Sequence, residues 1–156
     1  MPSRRLSPGS QGGFSMADGG AFEGGCFCGA VRYRAQRVVD SAVCHCRDCQ
    51  HVSGAPLLAW VELDKADLDW TKGTPSYYHH TSDWQTPIRR AFCNQCGTSL
   101  TYEREGSPEL DVTVASMDAP ESVRPTRHVY ASNQVPWLRL DDDIVRYERL
   151  RTDLND

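Results

Sequence analysis

The chain has 156 residues, 39% hydrophobic and 24% charged, with 17 basic and 21 acidic side chains and a formal charge of -4. That size suits one domain with an apolar core, and no run of about 18 apolar residues offers a membrane-spanning helix. The acidic balance argues against nucleic acid as a partner, because phosphate binding rests on a basic surface.

Residues 1–20 are rich in Ser, Gly and Pro and carry Arg4 and Arg5, with no apolar segment of the kind a secretory signal needs. Residues 1–22 are therefore expected to form a disordered tail, with Met16 as an alternative start. A single domain is expected over 23–150. Alternation of apolar and polar residues predicts strands at 31–34, 57–63, 98–102, 110–115 and 127–130. A short helix is predicted at 47–52, ending at Ser53-Gly54. Gly73-Thr74-Pro75, Gly106-Ser107-Pro108 and Ala119-Pro120 mark turns. The fold class is mainly β, antiparallel sheets packed face to face with little helix. Trp60, Trp70, Trp84 and Trp137 are expected in the core or a pocket wall, and His79 and His80 as an exposed pair. Residues 151–156 are expected to fray.

Seven cysteines without a secretory signal argue for metal ligation, and the cytoplasm is the expected compartment. The number is odd, and the pairs Cys26/Cys28 and Cys44/Cys46 are too close in sequence to bridge without strain. In an extended chain alternate residues share a side, so Cys26 and Cys28 can reach one ion while Phe27 turns into the core. Cys93-Asn94-Gln95-Cys96-Gly97 reads as a zinc knuckle. Together these make a closed four-thiolate site whose segments lie 65 positions apart from Cys28 to Cys93.

Cys44, Cys46 and Cys49 supply three more thiolates, with His45 turned away by the same alternation. Three protein ligands and one open position describe a catalytic zinc, so two zinc ions per chain are expected. The ligand count also admits Asp48, His51 or His128 closing the second site, a single shared cluster, or an iron–sulfur cluster. Three thiolates on a dication leave a net negative charge. Such a zinc is a weaker Lewis acid than one held by neutral histidines, and is better suited to holding a thiol or polarising a small carbonyl. Arg47, Arg89 and Arg90 are candidate compensating cations. His51 and His128 are the candidate catalytic acid–base groups.

Three segments resemble the glutathione-dependent formaldehyde-activating enzyme family, which includes centromere protein V. They are Gly24-Gly25-Cys26-Phe27-Cys28-Gly29-Ala30-Val31-Arg32-Tyr33, Cys44-His45-Cys46-Arg47-Asp48-Cys49-Gln50-His51-Val52-Ser53-Gly54-Ala55-Pro56 and Arg90-Ala91-Phe92-Cys93-Asn94-Gln95-Cys96-Gly97-Thr98-Ser99-Leu100. His128-Val129-Tyr130-Ala131-Ser132 with Pro136-Trp137 adds a weaker match. The resemblance implies an Mss4-like fold, a structural zinc on Cys26, Cys28, Cys93 and Cys96, and a catalytic zinc on Cys44, Cys46 and Cys49. It also implies carbon–sulfur lyase chemistry on a small thiol–aldehyde adduct, such as S-hydroxymethylglutathione from glutathione and formaldehyde. Gln50, His51 and Asn133 depart from residues that are often basic there. The rival expectation is a zinc-stapled binding module whose second zinc is closed by a protein side chain.

Overall fold

The computed structural model describes residues 20–82 and 85–150. Most of the expected tail, the expected frayed end and Trp84 lie outside them. Among the described residues the strands run β1 (Phe22–Gly25), β2 (Arg32–Ala35), β3 (Asp40–Cys44), β4 (Leu58–Asp64), β5 (Leu68–Lys72), β6 (Ser76–Thr81), β7 (Pro87–Phe92), β8 (Ser99–Arg104), β9 (Glu109–Thr113), β10 (Arg127–Val129) and β11 (Val145–Arg146). The helix α1 (Arg47–Ser53) interrupts them once. A small sheet has the order β1-β2-β5, and a large one β11-β10-β3-β4-β9-β8-β7-β6. Pairing is antiparallel throughout the small sheet and over most of the large one. The end of the large sheet departs from the purely antiparallel expectation, because β10 runs parallel to both β3 and β11.

Period two explains how the layers meet. Tyr33 and Ala35 point inward from β2, and meet Val61 and Leu63 of β4, Leu110 and Val112 of β9, and Ala91 of β7 in one apolar core. The other face of β4 presents Leu58 and Trp60 to a second, smaller cluster with Cys44, Cys49, Val129 and Tyr130. A strand buried on both faces does not alternate cleanly, which is why 57–63 shows only partial alternation. The predicted 110–115 strand stops at Thr113, and Val114–Ser116 form a 3-10 turn. Its Met117 amide donates to Val114 O at 3.0 Å. Two of the four tryptophans are placed as expected: Trp60 is buried, and Trp70 packs edge-on against Tyr33 with ring centroids 6.1 Å apart. Trp137 is not; it is 72% exposed. It lies in the chain between β10 and β11, where no sheet covers it.

The small sheet also meets the 3-10 turn after β9 at Gly24. A Cβ there would lie 2.2 Å from Tyr33 Oη and 2.5 Å from Ser116 O, while Tyr33 Oη and Ser116 Oγ share a hydrogen bond of 2.9 Å. Gly24→Ala is therefore expected to force these groups apart, at a cost of about 1–3 kcal/mol. The thermal midpoint should fall while bound metal stays constant; an unchanged midpoint would contradict the close packing.

Candidate metal centres

The first cysteine group joins the two sheets. Cys26 follows β1 of the small sheet and Cys93 follows β7 of the large one. The sulfurs of Cys26, Cys28, Cys93 and Cys96 all lie within 4.8 Å of one another, with Cys26 to Cys28 at 3.6 Å and Cys28 to Cys93 at 3.8 Å. Both segments are knuckles of one design. The Gly29 amide donates to Cys26 O at 3.0 Å, and the Gly97 amide to Cys93 O at 2.8 Å. Each glycine sits in the left-handed region, at φ 71° and 77°, which costs a residue without a Cβ nothing.

This geometry corrects the expectation for Phe27. Cys26 to Gly29 is a turn rather than an extended strand, so alternation does not apply and Phe27 is 95% exposed. Its amide instead donates to Thr98 Oγ1 at 3.1 Å, tying one knuckle to the other. The Thr98 hydroxyl and amide also hold Cys96 down to about 5, well within the thiolate range at neutral pH.

The second group lies at one end of the large sheet. Cys44 ends β3, Cys46 is the N-cap of α1 and Cys49 lies within the helix. Their sulfurs lie within 4.8 Å of one another, and among the described residues no fourth His, Cys, Asp or Glu joins that group. Cys46 Sγ accepts the Cys49 amide at 3.3 Å. Thiols packed this closely ionise one at a time. Hydrogen bonds from Cys44 and Cys49 push Cys46 down to about 2, while Cys44 is pushed far up, first by its bond to Cys46. Cys49 ends at about 12: its bond with Cys44 pulls down, and its bond with Cys46 together with burial outweighs that. A dication among them would remove the mutual penalty, so both groups fit a soft divalent metal by donor type and spacing.

The walls come from strand register. Ala42 pairs with Trp60 and Cys44 with Leu58 across β3 and β4, and Val129 of β10 pairs with Cys44. Trp60 and Tyr102 lie with ring centroids 6.1 Å apart, and the Arg90 guanidinium stacks 4.7 Å from the Tyr102 centroid. Tyr130 follows β10 at φ 55°, an uncommon value for a side-chain-bearing residue, and it is buried against the cysteines.

The histidines separate. His45 is fully buried, in neither cysteine group. Its Nε2 lies 2.8 Å from His128 Nδ1, and His128 Nε2 lies 3.1 Å from Asp142 Oδ2. The carboxylate accepts from His128 Nε2–H, so His128 Nδ1 accepts in turn from His45. His128 is thus linked to the segment bearing Cys44 and Cys46 through His45 rather than directly. His51 stands exposed on α1, its Nε2 3.3 Å from Arg47 Nη2. His79 is exposed as expected, whereas His80 is half-buried and accepts from Arg90. Gln50 Nε2 donates to His45 O at 2.8 Å and Asn133 O at 3.1 Å, so the Gln50 side chain ties α1 to the chain after Cys44 and to the chain after β10. Asp142 and Tyr102 escaped the sequence reading because only the fold brings them to the centre; their polar character alone carried no signal.

The same face of the large sheet carries carboxylates in register: Asp40 opposite Glu62, and Glu62 opposite Asp111. Burial, then the charge of Glu62, push Asp111 up to about 7. A raised carboxyl favours folding in its protonated form. Its contribution is greatest below the unfolded value and is lost as pH rises through about 7. Asp111→Asn is expected to stabilise the protein at pH 8 by on the order of 1–2 kcal/mol and to do little at pH 4. Thermal midpoints at both pH values check this; equal effects at both would contradict it.

Comparison with known proteins agrees with these features. The family model described as glutathione-dependent formaldehyde-activating enzyme matches residues 21–133, which span both cysteine groups. A Halomonas elongata protein provisionally named glutathione-dependent formaldehyde-activating enzyme is 28% identical over 130 residues, covering 76% of this chain and 80% of that one. A crystal structure of a Rhodobacter sphaeroides protein superposes with a TM-score of 0.51 at 24% identity, over 66% of this chain and 91% of that one. That likeness speaks for the fold. The family match takes in most of the chain and all seven cysteines, and the chain belongs to the glutathione-dependent formaldehyde-activating enzyme family.

Proposed function

We propose that the chain is a zinc-dependent enzyme of the carbon–sulfur lyase type, joining glutathione to formaldehyde as S-hydroxymethylglutathione in the cytoplasm. Residues 23–150 are the working unit. Cys26, Cys28, Cys93 and Cys96 would hold one zinc as a staple, and Cys44, Cys46 and Cys49 the other. The observation that carries this reading is the three-sulfur group, which among the described residues has no fourth ligand from the chain. A zinc held there would supply a soft Lewis acid able to take a thiolate or a carbonyl oxygen.

The chain's own residues do the rest. Trp60, Tyr130 and Leu58 wall the group and exclude water on that side. Asp142 fixes the His128 tautomer, and His128 in turn fixes His45 between two ligands. Addition forms one sulfur–carbon bond, and the thiol proton ends on the former carbonyl oxygen. His51 and His128 are the imidazoles proposed to move that proton. His51 is the one open to solvent, and His128 can exchange through Asp142, which is partly exposed.

The test is adduct formation from glutathione and carbon-13 formaldehyde, followed by NMR with metal-loaded protein. The expected result is a rate well above that of the protein-free mixture. No acceleration would remove this substrate pair.

A further inference from the structure

Arg90 is the unusual cation of this molecule. It is only 5% exposed, yet no carboxylate pairs with it among the described residues. Arg32, Arg37, Arg89, Arg127 and Arg146 all pair with Asp or Glu. Arg90 Nε donates to the neutral acceptor His80 Nε2 at 3.2 Å, its plane covers Tyr102, and its Nη1 is buried with no hydrogen-bond partner. Burying a guanidinium without a counter-ion is strongly unfavourable, so a negative charge must answer it from nearby.

The register shows where that charge is. Arg90 stands opposite Tyr102, and Tyr102 opposite Asp111. Asp111 is a poor counter-ion, because burial and then the charge of Glu62 hold it toward the protonated form up to about 7. In the other direction Tyr102 packs against the cluster of Cys44, Cys49 and Trp60, against which Cys46 also packs.

We propose that Arg90 is the buried counter-charge of the three-cysteine centre, offsetting the negative charge of its thiolates and of any anionic ligand that joins them. The proposal rests on the open-centre reading above and is independent of which thiol is the substrate. Three thiolates on a dication carry one net negative charge, which Arg90 balances. An incoming thiolate adds another, and without Arg90 its binding must be weakened. A neutral ligand brings no such charge.

The test uses the full chain loaded with cobalt(II), whose visible absorption reports ligand exchange. 2-Mercaptoethanol, which binds as thiolate, and imidazole, which binds neutral, are titrated into wild type, Arg90→Gln and Arg90→Lys. Arg90→Gln is expected to lose about tenfold in thiolate affinity, with imidazole affinity within about twofold, and Arg90→Lys to recover most of the loss. Parallel loss for both probes, or no loss for either, overturns the proposal. Loss of the second cobalt from Arg90→Gln is read on Arg90→Lys in the same way as a failure to fold, because the loaded centre is itself anionic. If Arg90→Gln does not fold, Arg90→Lys decides: it must keep the wild-type preference for thiolate over imidazole, and loss of that preference overturns the proposal. Wild type that takes neither probe instead sinks the open centre. None of these readings involves formaldehyde, so failure of adduct formation removes the substrate pair alone.

Discussion

Cys93→Ser leaves the chain without a stable fold. Cys93 is completely buried in the main core, and its sulfur belongs to the group that joins β1 of the small sheet to β7 of the large one. Serine is a far poorer ligand for a soft metal than a thiolate near neutral pH. Structural zinc contributes on the order of 10 kcal/mol in small metal domains, comparable with the whole stability of an ordinary domain at about 5–15 kcal/mol. The apolar core between the sheets offsets part of that loss, so collapse without cooperative melting is the expected outcome. Circular dichroism melts of wild type and variant, each with its zinc content measured, check this. Equal midpoints would show that the staple contributes little.

Cys46→Ser separates function from fold. The four-sulfur staple is untouched, and the helix loses nothing, because Cys46 is the N-cap of α1 and serine is a preferred N-cap. The variant should therefore melt cooperatively, within about 1–2 kcal/mol of wild type. Its second zinc should bind weakly, since the sulfur that ionises most readily in that trio is gone. Adduct formation should fall at least about a hundredfold with that metal, the scale of losing a principal electrostatic group in a site. Zinc content near one per chain, a preserved fold and lost turnover is the expected combination. Full turnover with a single zinc would leave the second centre without a catalytic role.

The sequence already carried what depends on spacing. Cys26 to Cys96 sort into two sets by their intervals alone, and the structure brings together those same two sets. The helix at 47–52 was readable because Gly54 stops it, at φ 64° with its amide bonded to Gln50 O. Strands without a clean apolar–polar alternation were not readable. β6 reads Ser-Tyr-Tyr-His-His-Thr with no apolar repeat, because it is an edge strand mostly open to solvent. β7 hides Arg90 at a position where sequence gives no reason to bury a charge. Phe27 went astray because a local turn overrode alternation. The partners of His128 could not be found either: Asp142 is 14 positions away and His45 is 83, and only the parallel pairing of β10 with β3 brings His45 alongside.

The central claim is that two metal ions are held differently, one enclosed by four thiolates and one by three with room for an exchangeable ligand. A crystal structure of the zinc-loaded protein, with anomalous differences collected across the zinc edge, tests it most directly. The account predicts two zinc positions, one among Cys26, Cys28, Cys93 and Cys96, the other on Cys44, Cys46 and Cys49 with water or an added thiol as the fourth ligand. A protein side chain in that fourth position, or a single zinc per chain, would contradict it and leave a zinc-stapled binding module in its place.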